Sequence, residues 1–304
     1  MASQLRQIVL KANRAIATVP PLARLWVRLV AAISRTLPNA YLRTAIYNHM
    51  DSVRWPAMRL PPREIEPLPG VRFKIIPHSG EFDFQALFDR TMCHEPGVLA
   101  WLTGRRYRTI FEVGSNVGVY TLIFSRLVGG DGRVYAFEPS TEAFFRLLTN
   151  LQLNGIGNVV PLQCAIGSTS GLTRFYEPKD HLTNGSLLRE FAASFSGMIA
   201  ERTVLALAGS ALQERVEGPL LIKIDAEGAE ELVLRSMETL IVRHKPDIIL
   251  EVLPEFVDAL NAIPFLKTCG YRFFSLNAGG NEEHPHFIAR WSDDRDYALV
   301  AGGV

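Results

Sequence analysis

The chain has 304 residues, of which 32 are Lys or Arg and 31 Asp or Glu, and it is 48% hydrophobic and 10% aromatic. That is ordinary globular composition, and it excludes a disordered, collagenous or disulfide-scaffold protein. A formal net charge of +1 argues against nucleic-acid binding through an overall field.

Charge is uneven along the chain. Residues 1–50 hold seven basic residues (Arg6, Lys11, Arg14, Arg24, Arg28, Arg35 and Arg43) and no Asp or Glu, which leaves 25 basic against 31 acidic residues elsewhere. The same stretch has helical periodicity. Leu5, Ile8, Val9, Ala12 and Ile16 share a face, with Gln4, Gln7, Lys11 and Arg14 opposite. After Pro20 and Pro21 a second stripe begins: Leu22, Leu25, Trp26, Leu29, Val30 and Ile33, with Arg24, Arg28 and Arg35 on its other side. Arginines interrupt every apolar run short of about 18 residues, so neither stretch spans a membrane. The first run is also too broken for a secretory signal. Two readings stay open for this segment. The favoured one is a helical hairpin packed on the main domain or on a second subunit, since amphipathic helices ordinarily face a core. The other is peripheral membrane contact through residues 1–50, or a cap over an apolar substrate. Oligomeric state is not readable. Five prolines between Trp55 and Gly70 read as an extended connector. The expected division is a basic helical extension and linker at 1–70 and a main domain at 71–304.

In the main domain 71–76 reads as a strand, and 81–89 and 96–102 as helical pieces. From Arg108 onward, strands alternate with helices. Strands are expected at 109–113, 133–137, 158–166, 220–224, 247–252, 271–276 and 297–300. Helical stripes lie between them, such as Phe144, Leu147, Leu148 and Leu151, with a last helix near 255–267. The expected fold is α/β, a mostly parallel sheet covered on both faces. Such sheets bind ligands beyond the carboxyl ends of their strands, where strand order reverses. Function is therefore sought in the residues that follow each strand.

The first strand end runs Glu112, Val113, Gly114, Ser115, Asn116, Val117, Gly118. Gly114 permits a tight turn, and Gly118 lets the following helix pack close. Asn116 stands where a dinucleotide fingerprint has its middle glycine, and Glu112 is an ill-suited neighbour for phosphate; both favour a ligand that is cationic here. Glu138, 20 residues after Gly118, fits a carboxylate that accepts both ribose hydroxyls, the alternative being an acid at a helix N-terminus. Cys164, Ala165 and Ile166 suit an adenine slot or a plain strand ending, and nothing near Cys164 lowers its pKa. Cys93, Cys164 and Cys269 are odd in number and form no CxxC pair, which suggests a reducing, cytoplasmic setting and no zinc ribbon.

At the fourth strand end Lys223 and Asp225 share a face, and Glu227 and Glu230 follow. An ion pair and a helix start are one reading; a carboxylate at a reaction centre, as base or cofactor clamp, is the other. The fifth strand ends at Glu251. Four of the five strand ends thus carry an acid: Glu112, Glu138, Asp225 and Glu251.

The order of these motifs resembles the FkbM family of S-adenosylmethionine-dependent methyltransferases: Glu112 to Gly118, then Phe137-Glu138-Pro139, Asn154, the run Ile222-Lys223-Ile224-Asp225-Ala226-Glu227-Gly228-Ala229-Glu230, and a strand ending in Glu251. The similarity covers about residues 108–300, and its most specific part is the run from Ile222. Glu112 and Ser115 depart mildly from the family's usual Asp and Ala. The resemblance implies a Rossmann-like class I methyltransferase fold, with a seven-stranded sheet holding one antiparallel strand near the C-terminus. It implies S-adenosyl-L-methionine as cofactor. The cofactor residues would be Glu112, Gly114, Ser115, Asn116, Gly118, Glu138, Pro139, Cys164, Ala165 and Asp225. Lys223, Asp225 and Glu227 would face the transferred methyl and the acceptor. That acceptor is expected to be a hydroxyl of a small molecule or glycan, sugar- or polyketide-like.

Methyl transfer needs alignment of acceptor oxygen, methyl and sulfur, and removal of the hydroxyl proton. Asp225 or Glu227 is the expected base, with Lys223 steering, and His181 is an alternative, just before a turn-rich segment at 182–186 that is expected to cover the site. A divalent metal on Asp225, Glu227 and Glu251 is a further option, not favoured because the same acids suffice for cofactor and base. Glu282, Glu283, His284 and His286 read as a surface loop rather than a zinc site. Two competing readings are a nicotinamide oxidoreductase, against which Asn116 argues, and a non-catalytic binding module on a methyltransferase fold. No nucleic-acid partner is expected.

Overall fold

The computed structural model describes residues 2–301 other than 54, 57, 59, 80, 93, 94, 180, 181, 278, 279 and 289–294, and no side chain at 2–6, 40, 182, 277 or 280. Cys93 and the alternative base His181 therefore lie outside the described residues. The chain forms two units, Met1–Cys93 and His94–Val304.

The first unit holds α1 (Ala2–Ala17), α2 (Pro20–Thr36) and α3 (Ala40–Asp51), then strands β1 (Arg63–Leu68) and β2 (Val71–Ile75), and a 3-10 turn at Phe82–Leu87. Prolines at the first two positions of α2 cost no helical hydrogen bond. The proline-rich segment is more than a connector. Its second half pairs antiparallel with β2, with Ile65 opposite Phe73, and Arg35 of α2 donates to Glu64 O at 3.0 Å, which ties the hairpin to the helices. Pro67 is tolerated because a two-stranded ribbon is all edge. Buried Asn13 ties the helices together: its Oδ1 accepts from Trp26 Nε1 at 2.8 Å, and its Nδ2 lies 3.1 Å from His49 Nε2.

Helix α2 is turned against the expectation of a stripe facing a core. Ala23, Val27, Ala31 and Ser34 are buried, and only Trp26 and Val30 of the stripe lean on the core of this unit. Leu22, Leu25, Leu29 and Ile33 are 48%, 66%, 49% and 53% exposed.

The second unit opens with α4 (Pro96–Leu102). It continues through β3 (Thr109–Val113), α5 (Val119–Leu127), β4 (Arg133–Phe137), α6 (Thr141–Leu153), β5 (Val159–Leu162), β6 (Ala165–Gly167) and β7 (Gly171–Pro178). Then come α7 (Arg189–Phe195), β8 (Ile199–Ala208), β9 (Leu220–Ile224), α8 (Glu230–Ser236), α9 (Glu238–His244), β10 (Asp247–Glu251), β11 (Tyr271–Asn277), β12 (Gly280–His284) and β13 (Asp296–Ala301). The main sheet runs β12-β11-β13-β10-β9-β3-β4-β5. Strands β5, β4, β3, β9 and β10 are parallel, and β13 is antiparallel to both β10 and β11. All seven expected strands are present. An eighth, β12, adds at the edge where a surface loop was expected around Glu282, Glu283 and His284, and its Glu283 pairs with Arg272 of β11. Charges on an edge strand discourage further pairing.

The expected strand 158–166 is two strands. Cys164 N donates to Leu162 O at 2.9 Å, a local turn that takes β6 out of the main sheet into a second sheet, β6-β8-β7. The expected helix near 255–267 is likewise two pieces, Val257–Asn261 and Pro264–Thr268, because Pro264 has no N–H to continue the first.

Strand alternation sorts the side chains of the central sheet. Phe111, Val113, Ile222, Ile224, Ile248 and Leu250 enter one core with Val233, Leu240 and Ile241 of α8 and α9. The residues between them, Glu112 and Lys223, face the other side, where they meet Thr121 and Tyr120 of α5.

Candidate active site at the carboxyl edge of the sheet

From β3 the chain goes on to β4 and β5 on one side, and from β9 to β10 on the other, so strand order reverses between β3 and β9. At that point the backbones nearly touch. Asp225 N donates to Val113 O at 3.0 Å, and a Cβ on Gly114 would lie 1.8 Å from the Asp225 carbonyl oxygen. Gly114 also has φ +81°, so both the turn and the close approach exclude a side chain. Gly118 makes room for a helix, but for α6 rather than for the α5 that follows it: a Cβ there would lie 2.4 Å from Leu147 Cδ1.

The loop between these glycines is held by Glu138. One carboxylate oxygen accepts from Asn116 N at 2.7 Å, the other from Ser140 N at 2.8 Å. Asn116 sits at φ +48°, a conformation Asn tolerates better than most residues, with its Oδ1 2.7 Å from Val117 N. Asn150 of α6 donates to Val117 O at 2.9 Å. Glu112 is fully buried and accepts from Thr121 Oγ1 at 2.6 Å. Burial pushes Glu112 up to about 8, against the Thr121 hydrogen bond and Lys223. Burial likewise pushes Glu138 up to about 7, against its two backbone donors. Ser115 Oγ and Ser140 Oγ, on the loops either side of Glu138, are buried with no hydrogen-bond partner among the described residues. Pro139, between Glu138 and Ser140 in the chain, is half-buried. Cys164 and Ala165 are buried, and burial drives the Cys164 thiol up to about 11, which disfavours the nucleophilic thiolate.

Beyond β9 the acids gather around one cation. Lys223 Nζ donates to Asp225 Oδ2 at 2.9 Å and lies 4.7 Å from the centre of the Tyr120 ring. Tyr120 in turn donates to Glu95 Oε2 at 2.5 Å. Glu112 is the register partner of Lys223 across β3 and β9. Burial disfavours the ammonium, but Asp225, Glu95 and Glu112 outweigh it and hold Lys223 protonated above its ordinary range.

Glu227 has left-handed backbone, φ +51°, and its carbonyl accepts from Ser186 Oγ at 2.7 Å. Its carboxyl hydrogen-bonds the Asn184 side chain and is raised well above the ordinary range by burial, then by Asp225, Glu251 and Glu230. Segment 184–186 thus lies against the site, as its turn-rich composition suggested. Glu230 belongs to the scaffold: it accepts from Ala226 N at 2.9 Å and Gly228 N at 3.2 Å, which fastens the loop. Glu251 pairs with Arg295 at 2.7 Å and is pushed up to about 7 by burial and Asp225. Asp296 stands opposite Glu251 in the β10–β13 register, also held high by burial and Glu95.

The sequence reading missed Glu95, Tyr120, Asn150, Arg295 and Asp296. One signal was available for Asp296, an acid at the start of a buried strand. Among the described residues no three His, Cys, Asp or Glu side chains gather as a metal site, and Lys223 and Arg295 already occupy Asp225 and Glu251. Acids in excess over cations, with two unpartnered hydroxyls beside Glu138, suit a cationic ligand bearing hydroxyl groups.

A mostly parallel sheet with antiparallel β13 between β10 and β11, and its crevice at the β3–β9 reversal, is the architecture of the Rossmann-like class I methyltransferases. The family model of the methyltransferase FkbM domain matches residues 112–273, more than half of the chain, and the chain belongs to that family. Among solved structures, a methyltransferase FkbM from Methylobacillus flagellatus is 15% identical with a TM-score of 0.40. That match covers 72% of this chain and 54% of that one, so the chain spans about half the length of this relative. An O-methyltransferase from Thermotoga maritima, described as SAM-dependent, is 10% identical, TM-score 0.35, over 68% of this chain and 64% of that one. An rRNA methylase from Streptococcus thermophilus is 10% identical, TM-score 0.37, over 64% and 86%. No curated protein matches the chain.

Proposed function

We propose that this methyltransferase takes its methyl group from S-adenosylmethionine and delivers it to a hydroxyl oxygen of a small molecule or glycan. The observation that carries the reading is Glu227: a half-buried carboxyl, hydrogen-bonded to Asn184 and held well above its ordinary range, beside an Asp225 already clamped by Lys223. Proton abstraction from a hydroxyl favours a carboxylate of raised basicity over one spent in an ion pair. Glu227 is therefore the base, and Lys223 with Asp225 orients the neighbouring charges. Bound S-adenosylmethionine supplies an electrophilic methyl on a sulfonium. In this reading Glu138 keeps its two backbone donors and accepts the ribose hydroxyls on its remaining lone pairs. Ser115 and Ser140 give their unpartnered hydroxyls to the same ligand. Pro139, Cys164 and Ala165 line the adenine. Exclusion of water and alignment supply most of the rate. The sugar- or polyketide-like acceptor class follows from the family resemblance.

The test is incubation with S-adenosylmethionine labelled in its methyl group and a panel of hydroxylated sugars and polyketides. Label is expected in a base-stable ether. Glu227→Gln should lower kcat by about 100-fold with cofactor binding retained. Glu138→Ala should abolish the thermal shift given by S-adenosylhomocysteine. Label in RNA or in a base-labile ester overturns the assignment of a small-molecule or glycan hydroxyl as acceptor, and no thermal shift in the parent chain overturns the cofactor assignment.

A further inference from the structure

The first unit carries a surface that the methyl-transfer reading does not use. Helix α2 buries its small residues, Ala23, Val27, Ala31 and Ser34, and turns Leu22, Leu25, Leu29 and Ile33 outward. Were a protein core its only apolar sink, the larger side chains would face it. The four outward residues recur at helical spacing along one side of α2 over about 16 Å. Arg24 and Arg28, both exposed, lie between this row and the buried face. Helix α1 repeats the pattern on a smaller scale, with exposed Ile8 and Ala12 beside exposed Lys11 and Arg14. At the start of α3, Tyr41 is 79% exposed and Leu42 is exposed next to it.

We infer that α1, α2 and the start of α3 form a surface that lies on an anionic lipid bilayer, with the aliphatic row in the headgroup–acyl boundary and Arg24, Arg28, Lys11 and Arg14 at the lipid phosphates. Charge selects this occupant. Residues 1–50 hold seven basic residues and no acid, so two copies of the face would meet with like charge, whereas an anionic bilayer is complementary. No helix among the described residues is long and apolar enough to cross a membrane, so the contact is in-plane.

Co-sedimentation of the full chain with phosphatidylcholine vesicles, with and without phosphatidylglycerol, tests this. Binding is expected to be at least about tenfold stronger with phosphatidylglycerol and to fall as salt rises. The double variant Leu25→Gln, Leu29→Gln should lose that binding and keep its circular dichroism melt and its response to S-adenosylhomocysteine, because neither residue is buried. Arg24→Gln with Arg28→Gln should weaken binding and flatten its salt dependence. Equal binding of parent and leucine variant overturns the inference. So does a parent chain that ignores vesicles and sediments as a dimer which the leucine variant dissolves, since the face then belongs to a second copy. The response to S-adenosylhomocysteine is read separately, so failure here leaves the catalytic proposal standing.

Discussion

The carboxyl edge of the sheet and the outer face of α2 break the same rule in opposite directions. Apolar side chains ordinarily go in and charges out. At the sheet edge Glu112, Lys223 and Glu230 are buried. On α2 the four largest aliphatic residues of the stripe outside the core are exposed. A buried acid is tolerable where donors or a cation meet it, and the edge supplies many: backbone N–H groups for Glu138 and Glu230, Thr121 for Glu112, Lys223 for Asp225. No such local compensation exists for Leu25. The edge is thus largely complete within the fold and short chiefly of positive charge, while the helix face depends on an external apolar phase.

Three changes bear on that contrast. The largest effect belongs to Gly114→Ala, which forces a Cβ to 1.8 Å from the Asp225 carbonyl. It should destabilise the chain by about 4 kcal/mol or more in urea melts. Gly155→Ala, also at positive φ but with nothing within 4 Å, should cost only about 1 kcal/mol. Similar costs would mean that the edge is looser than the backbone contact implies.

Next comes pH. Glu138, Glu230 and Glu251 are raised to about 7 and Glu112 to about 8 in the fold, against an ordinary 4.5. Between about 4.5 and about 8 the folded chain therefore holds more protons than the unfolded one, and its stability falls as pH rises. The melting temperature of ligand-free protein should be higher at pH 5.5 than at pH 8. A sulfonium favours the ionised acids, so calorimetric affinity for S-adenosylmethionine should rise relative to S-adenosylhomocysteine over the same window. A flat ratio would show that the edge does not distinguish a cation. The smallest effect is Ser115→Ala. Its Oγ has no hydrogen-bond partner among the described residues, so stability should change by less than about 0.5 kcal/mol, while affinity for S-adenosylhomocysteine falls about tenfold.

The central strands were legible because buried parallel strands are continuous apolar runs, as in Leu220–Ile224, and the acids that follow them could be read off directly. The break at Gln163 and Cys164 was not legible, since neither residue signals a turn and both flanks are apolar. Strands β7 and β8 were missed because their faces are largely exposed and 20 residues separate them. Periodicity located the stripe on α2 but gave no sign of which way it points. Ala23, Val27, Ala31 and Ser34 also recur at helical spacing, and packing against Phe84, Leu87 and Phe88 chose that side. In the site, Glu112, Glu138 and Lys223 to Glu227 were readable from strand ends. Tyr120, Asn150 and Asp296 reach it from other elements, and only folding brings them there.

The contact between Gly114 and Asp225 is made by main chain alone, which frees the side chains around it. The spacing of the two strand ends is fixed by a carbonyl against an α-carbon, so substitutions at Ser115 or Ala226 can re-line the mouth without altering that spacing. Chemical diversity at this mouth is therefore available to the fold through its lining, on the condition that position 114 never acquires a side chain.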